Sequence, residues 1–273
     1  MKKILSVFAV LSISLGAFAE TLATDTVLKD PETVLKEYKI EIRNVNGPED
    51  VNVRVFSKTY LYPAETIKEA IKARLEKEGL YTKKKDNGFF ACMGVKYNPL
   101  WHKMLDFYIN VVGSKNAGTV NLLVSTGYDN YMDETNLTAC LNAARWLSEL
   151  EYDIKMYIFL NNLSAEDETL AGLQKDIEKL QKQKAKIEKK IETNAEKIKK
   201  FEAQRIKLTE DNVNNLDTKK LDREKEQDRK LQDEKNALNY DLNEVMLQIE
   251  VAEGKLAQQM EVIKKLKETE PKK

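Results

Sequence analysis

"TEDNVNNLDT", residues 209–218, interrupts a long tail that is otherwise rich in Lys, Glu, Gln, Leu and Ile. Asn and Asp disfavour helix interiors and are common in turns. The stretch is therefore either the tip of a helical hairpin or a polar patch in one continuous helical rod. The apolar pattern on each side of it decides between these two structures.

On each side, apolar residues recur at alternating steps of three and four, which is typical of a coiled-coil seam. The second seam is out of register with the first by two residues, so a straight rod would be irregular at its most polar point. The residues predicted to form the seam are Leu173, Ile177, Leu180, Ile187, Ile191, Ile198 and Leu208 before the stretch, and Leu221, Leu231, Leu238, Leu242, Ile249 and Leu256 after it.

Folding the chain back at residues 209–218 removes this mismatch. If the tip lies between Asn214 and Asn215, leucines and isoleucines face each other along most of the seam, as an antiparallel pair requires. Arg205 then faces Glu224, which predicts a buried ion pair. The sequence therefore predicts an antiparallel helical hairpin over residues 163–273, with arms about 65 Å long at about 1.5 Å per residue.

Several apolar residues of the second arm lie off its seam. They are Met246, Leu247, Met260 and Val262. A two-helix hairpin leaves much of its seam wet, so further packing is expected. We expect these side chains to contact either the last helix of the preceding domain or another subunit.

Residues 20–162 have a different composition, with both tryptophans and most of the aromatic residues. Alternating apolar and polar residues predict strands, two of which, residues 105–113 and 118–127, form a hairpin. Helical spacing predicts one helix from Pro63 to Gly79 and a second from near Asp133, with a kink or break at Asn161 and Asn162. This indicates an α+β head domain, in which an antiparallel sheet has two helices packed on one face.

The first 19 residues predict export. Lys2 and Lys3 precede an apolar stretch, which ends at Ala17-Phe18-Ala19, a pattern typical of a cleaved signal peptide. A membrane anchor is the alternative, but the stretch is short for a span of about 20 residues. We expect a soluble product in the periplasm or cell envelope, with no transmembrane segment in the mature chain.

Composition bears on partners and on redox state. The 45 basic and 45 acidic residues balance, so no positive field for nucleic acid is expected.

Cys92 and Cys140 would meet an oxidising compartment, where a disulfide between them is one interpretation. Two buried free thiols are the other.

No catalytic, cofactor-binding or metal site is predicted. His102 is the only histidine, and no cluster of metal ligands surrounds it in the sequence. The remaining signals favour a non-enzymatic protein, whose head docks and whose coiled coil spaces, binds a protein partner or self-associates. A periplasmic holdase-type chaperone and an unrecognised hydrolase are the alternatives.

The order of segments resembles known layouts in two ways. The elements of the head resemble a βαβββα layout of the TATA-box-binding-protein type, a likeness of fold that implies nothing about DNA. The whole chain, with signal peptide, small α+β head and C-terminal coiled coil, is similar to uncharacterised exported proteins of Bacteroidetes-type bacteria. That resemblance implies export and no catalytic residues.

Overall fold

The structure is a computed structural model that describes residues 30–127, 130–211 and 218–272, without the side chains of residues 208–211 and 218–221. The predicted signal peptide and the centre of the predicted tip lie outside these residues. The described chain forms two compact units, the first made of residues 30–65 and 79–148. The second contains Thr66–Glu78 and the chain from Glu149 onward, whereas composition placed the boundary at residue 162.

Two helices and seven strands form the first part of the described chain, and two long helices follow. The elements are α1 (Pro31–Tyr38), β1 (Glu41–Asn46), β2 (Asn52–Tyr60), α2 (Ala64–Lys77), β3 (Lys83–Lys84), β4 (Phe89–Lys96), β5 (Met104–Gly113), β6 (Gly118–Ser125), β7 (Tyr131–Met132), α3 (Leu137–Asp211) and α4 (Thr218–Glu268).

One antiparallel sheet of seven strands confirms the α+β class. Its order is β1-β2-β6-β5-β4-β3, with β7 paired to β6. The predicted β5–β6 hairpin is present, and Ile109 pairs with Leu122 at its centre. Both residues are fully buried, which is the reason that the alternating pattern could be recognised in the sequence.

Strand β4 departs from the predicted alternation. Strict alternation would place Met93 on the same face as Phe89 and Ala91, but Met93 is exposed while the other two are buried. A register shift lies between Cys92 and Val95. Gly94 adopts a left-handed φ of 61° there, and such a bulge turns the following side chains to new directions.

Helix α1 and strand β3 are short elements that were not predicted. Helix α1 begins at Pro31, after Asp30, whose carboxylate accepts a hydrogen bond from the backbone N–H of Thr33 at 2.9 Å. An aspartate cap followed by proline is a signal that the sequence does contain. Lys83 and Lys84 form the edge strand β3, where exposed lysines discourage further strand pairing.

The first turns of α3 pack within the first unit. Trp146 is 1% exposed, and its Nε1 donates a hydrogen bond to the hydroxyl of Tyr97 at 3.0 Å. The hydroxyl of Tyr60, on β2, donates to the backbone carbonyl of Leu147. Because both aromatic side chains are buried, these hydrogen bonds satisfy polar atoms that would otherwise be costly to desolvate.

Helix α3 continues through Asn161 and Asn162, so the predicted break is wrong. Asparagine costs a helix less than about 1 kcal/mol relative to alanine, and proline is absent from this stretch. Beyond this point α3 packs on α4, and such packing outweighs a weak local preference. In the described part of the chain, none of the helices combines the length and the apolar composition needed to cross a bilayer.

Candidate functional site

The surface between α3 and α4 is lined by the residues of the predicted seam. Ile177, Ile198 and Leu238 are buried, as is the polar seam residue Asn194. Exposed positions lie between them in each helix. The half-buried seam residues are Leu173, Leu180, Ile187, Ile191, Leu231, Leu242, Ile249 and Leu256, and the side chains of Leu208 and Leu221 lie outside the described residues.

Polar contacts give the direction of this packing. Near the start of the pairing, Gln259 Nε2 donates to the backbone carbonyl of Glu166 at 3.1 Å. Further along α3, Asn194 Nδ2 donates to the backbone carbonyl of Leu231 at 3.3 Å. The residue numbers of the partners on α4 therefore decrease as the residue numbers on α3 increase, which is the order of an antiparallel pair. Gln259 and Leu231 each lie one helical turn along α4 from the residue that a tip between Asn214 and Asn215 would place opposite their partners.

Arg205 forms an ion pair with Asp228, and its pairing with Glu224 stays a prediction. Its Nη1 lies 3.9 Å from Oδ2 of Asp228, one turn further along α4 than Glu224. The arginine side chain is 49% exposed, so this is not a fully buried pair. The long side chain of arginine can cover the seam with its methylene groups while the guanidinium stays in water.

Asn194 is the most buried polar group between these helices. It is 3% exposed, and its Oδ1 is buried without a hydrogen-bond partner in the part of the chain that the structure describes. An unpaired buried amide oxygen costs about 1–3 kcal/mol. A single polar residue at a seam position can also specify the register of a coiled coil. Asn194 is therefore suited to set the alignment of the arms at a cost in stability.

We expect Asn194→Leu to increase the free energy of unfolding by about 1–2 kcal/mol, because it removes the unpaired oxygen and adds apolar burial. Urea denaturation followed by circular dichroism measures this change. Asn162→Leu, at an exposed position of the same helix, is the control and should change stability by less than about 0.5 kcal/mol. A loss of stability in Asn194→Leu would contradict this interpretation of the buried amide.

Helix α4 carries a group of exposed apolar side chains, here called the α4 patch. Leu247 and Val251 lie on the face opposite the seam and are 61% and 51% exposed. Met246 lies beside the seam and lines a groove of about 510 Å3, together with Lys184 of α3. The patch consists of Tyr240, Met246, Leu247, Val251, Met260 and Val262.

Within the second unit, Arg74 of α2 joins three carboxylates. Its guanidinium contacts Asp153 at 2.8 Å, Glu149 at 3.2 Å and Glu78 at 3.5 Å, and its side chain is 10% exposed. Burial raises the pKa of Asp153, although the charge of Arg74 opposes this shift. The cluster was missed in the sequence because Glu149 and Asp153 are far from Arg74 in the chain. It is an ion-pair network that connects α2 to α3.

Two tight turns of the first unit hold residues in the left-handed region, where non-glycine residues are uncommon. They are Glu49, Asp50 and Asn87, with φ of 63°, 58° and 56°. Asn87 Nδ2 donates to the carbonyl of Gly47 at 2.7 Å and to Asp50 Oδ1 at 3.0 Å. Hydrogen bonds from Asn87 and then Asn46 lower the pKa of Asp50. These contacts connect the two turns, which the sequence shows only as separate turn signals.

Cys92 and Cys140 are both free and buried. The Sγ atom of Cys92 lies 3.8 Å from the carbonyl oxygen of Tyr81, and that of Cys140 lies 3.8 Å from the carbonyl oxygen of Pro31. The structure therefore has the free thiols rather than the disulfide of the two interpretations. Burial raises the pKa of Cys92 to about 11 and also raises that of Cys140, which keeps both thiols protonated at neutral pH.

Metal ligands are not grouped in the described ranges, where no three His, Cys, Asp or Glu side chains could hold one ion. The ring of His102 lies 4.8 Å from that of Trp101. Comparison with known proteins found no matching family model, no similar curated protein and no similar solved structure.

Proposed function

We propose that this is a non-enzymatic cell-envelope protein that acts as a binding or assembly module. In this proposal, α3 and α4 form the antiparallel hairpin predicted from the sequence, and the first unit docks to a partner. Export to the periplasm or cell envelope rests on the sequence of residues 1–19. The layer of two helices on one face of the sheet stays a prediction.

The observation that carries the proposal is the α4 patch. Among the described residues, fourteen large hydrophobic side chains are exposed, and six of them lie between Tyr240 and Val262. Exposed apolar side chains that lie side by side mark interaction surfaces more often than single ones do, and Leu247 and Val251 are one helical turn apart on the outer face of α4. Leu247 and Val251 lie opposite the seam, so α3 does not cover them. Burying a leucine or valine completely against a partner would contribute about 1.5–3 kcal/mol each.

A pair of matched variants tests the assembly role. We expect chemical crosslinking in intact cells, followed by affinity purification, to recover the protein with a partner or a second copy. Leu247→Gln with Val251→Gln should abolish this recovery. Leu160→Gln with Ile206→Gln, which removes exposed apolar side chains elsewhere, should retain it. Recovery of the monomer alone from the unmodified protein, or equal loss in both variants, would contradict the proposal.

The groove beside Met246 supports a second candidate, a holdase-type chaperone. Its lining combines Met246, Leu247 and Ile249 with the polar residues Lys184, Asn243, Glu250 and Glu253, and methionine adapts to varied apolar partners. Such a protein should suppress aggregation of an unfolded outer-membrane protein at about equimolar ratio. Absence of suppression, together with a strictly monomeric protein in light scattering, would eliminate this candidate.

A further inference from the structure

The outer face of α3 carries an uninterrupted row of lysines. The positions opposite the seam follow one another in alternating steps of four and three residues. From Lys175 to Lys189, every one of these positions is a lysine. All of these side chains are exposed. The row is about 21 Å long, at about 1.5 Å per residue. We call it the lysine ridge, and its members are Lys175, Lys179, Lys182, Lys186 and Lys189.

Seven lysines and three acidic residues lie between Lys175 and Lys190, so this stretch of α3 keeps an excess of positive charge. Lys179 pairs with Asp176 at 2.9 Å, but both side chains are more than 60% exposed, so the pair is weak. In the described structure, the other four ridge lysines form no ion pair. The ridge therefore presents several positive charges, about 5 Å apart, in one straight row.

We propose that the lysine ridge docks this protein onto a bilayer surface rich in anionic lipids. A straight row on one helix lets every lysine approach a plane at the same time. Each lysine near an anionic leaflet strengthens binding about five-fold, and the effect falls off within a Debye length. Because the exposed large apolar residues of the described part of α3 are Leu160 and Ile206, both outside the ridge, binding is electrostatic and needs no insertion.

Duplex nucleic acid fits this ridge less well. The phosphate rows of a duplex wind around its axis, so a straight row of lysines meets them only where it crosses them. Readers of base sequence combine Arg or Lys with Asn and Gln, whereas the ridge contains lysine alone. Lysine is a point charge without the planar fork of arginine, which suits a mobile layer of lipid headgroups.

A second copy of the chain also fits the ridge poorly. The outward positions of α4 would have to supply a matching row of carboxylates. At the level of the ridge they carry Tyr240, Leu247 and Val251, with Glu244 as the acidic residue among them. The inference goes beyond the proposed assembly role and does not depend on it.

Vesicle sedimentation tests the inference with the protein that lacks residues 1–19. The vesicles contain phosphatidylcholine alone or with about 30% phosphatidylglycerol, in about 0.05 M and about 0.5 M salt. We expect binding only to the anionic vesicles and only at low salt. Changing all five ridge lysines to Gln should weaken this binding about a hundredfold or more.

Two control variants separate the ridge from net charge. The first variant removes five exposed lysines of α4, and its affinity for anionic vesicles should stay within about five-fold of that of the unmodified protein. The second variant replaces the ridge lysines with arginine and should keep binding. Circular dichroism checks the helical content of each. Equal loss in the α4 control, unchanged binding of the ridge variant, no binding at low salt, or displacement by stoichiometric duplex DNA would each overturn the inference. The α4 control changes Lys225, Lys230, Lys255, Lys264 and Lys267 to Gln.

Discussion

Leu173→Cys combined with Leu256→Cys is expected to form an intramolecular disulfide under mild oxidation. Both residues are half-buried seam positions, on α3 and α4, and the antiparallel order of the polar contacts places them at the same level of the pair. A small local adjustment then brings their Cβ atoms to the bridging distance of about 4 Å. In a continuous rod the same residues would lie well over about 100 Å apart, at about 1.5 Å per residue.

The measurement is mobility of the monomer in non-reducing electrophoresis, in a protein with Cys92→Ala and Cys140→Ala. Both native thiols are buried, so their reactivity is low. Removing them ensures that every crosslinked band comes from the two introduced cysteines. Leu173→Cys with Ile198→Cys is the control. These two positions lie on one helix, about 37 Å apart, and should not crosslink within a monomer.

A folded, helical Leu173→Cys and Leu256→Cys protein that gives no monomeric crosslink would show that the seam pairing is wrong. Crosslinked dimers without crosslinked monomers would instead indicate that the arms pair between two copies. The experiment therefore also tests the connection between α3 and α4, whose central residues, 212–217, lie outside the described structure.

Arg74→Met is expected to destabilise the second unit by about 3 kcal/mol at neutral pH. The substitution keeps the methylene stem but leaves Asp153, Glu149 and Glu78 without the guanidinium that they share. Removing one partner of a buried ion pair costs about 3–5 kcal/mol, and partial exposure of the carboxylates places the effect at the lower end. Arg145→Met, at an exposed position with the same change in charge, should cost less than about 0.5 kcal/mol.

The pH dependence of this loss has a definite sign. Burial already raises the pKa of Asp153 in the folded protein, and Arg74 opposes that shift. Without Arg74 the folded-state pKa rises further above the unfolded value of about 3.9. A carboxyl with a raised folded pKa penalises folding when it is ionised, and the penalty disappears as pH falls below the unfolded pKa. The destabilisation by Arg74→Met should therefore be largest near neutral pH and smaller near pH 4.

Urea denaturation of Arg74→Met and the unmodified protein, at about pH 7 and about pH 4.5, measures this difference. Adding Asp153→Asn to Arg74→Met should recover part of the loss at neutral pH, because it removes the most strongly desolvated carboxylate. A loss that is independent of pH, or greater in acid, would indicate that Arg74 contributes through packing rather than through its charge.

Local periodicity made several features predictable. The β5–β6 hairpin was recognised from alternation, because one buried face imposes a period of two on a strand. Helix α2 was recognised from its apolar spacing, because one buried face imposes a period of about 3.6 residues on a helix. Its buried residues are Ile67, Ala70, Ile71 and Leu75. Two arms with apolar seams also follow from the sequence, since a heptad pattern persists over many turns.

Features that depend on one residue or on remote partners were not predictable. The bulge at Gly94 turns Met93 outward, and no period in β4 announces it. The continuity of α3 through Asn161 and Asn162 depends on the helix as a whole rather than on these weak helix formers.

The sequence by itself therefore determined the α+β class, the antiparallel hairpin of β5 and β6 and the heptad seams. Each of these follows from side chains close together in the chain, whose spacing repeats the geometry of a strand or a helix. The tertiary structure alone decided the sheet order, the clustering of Arg74 with Asp153 and the separation of Cys92 from Cys140. These features arise from contacts between residues far apart in the chain, for which local spacing carries no information.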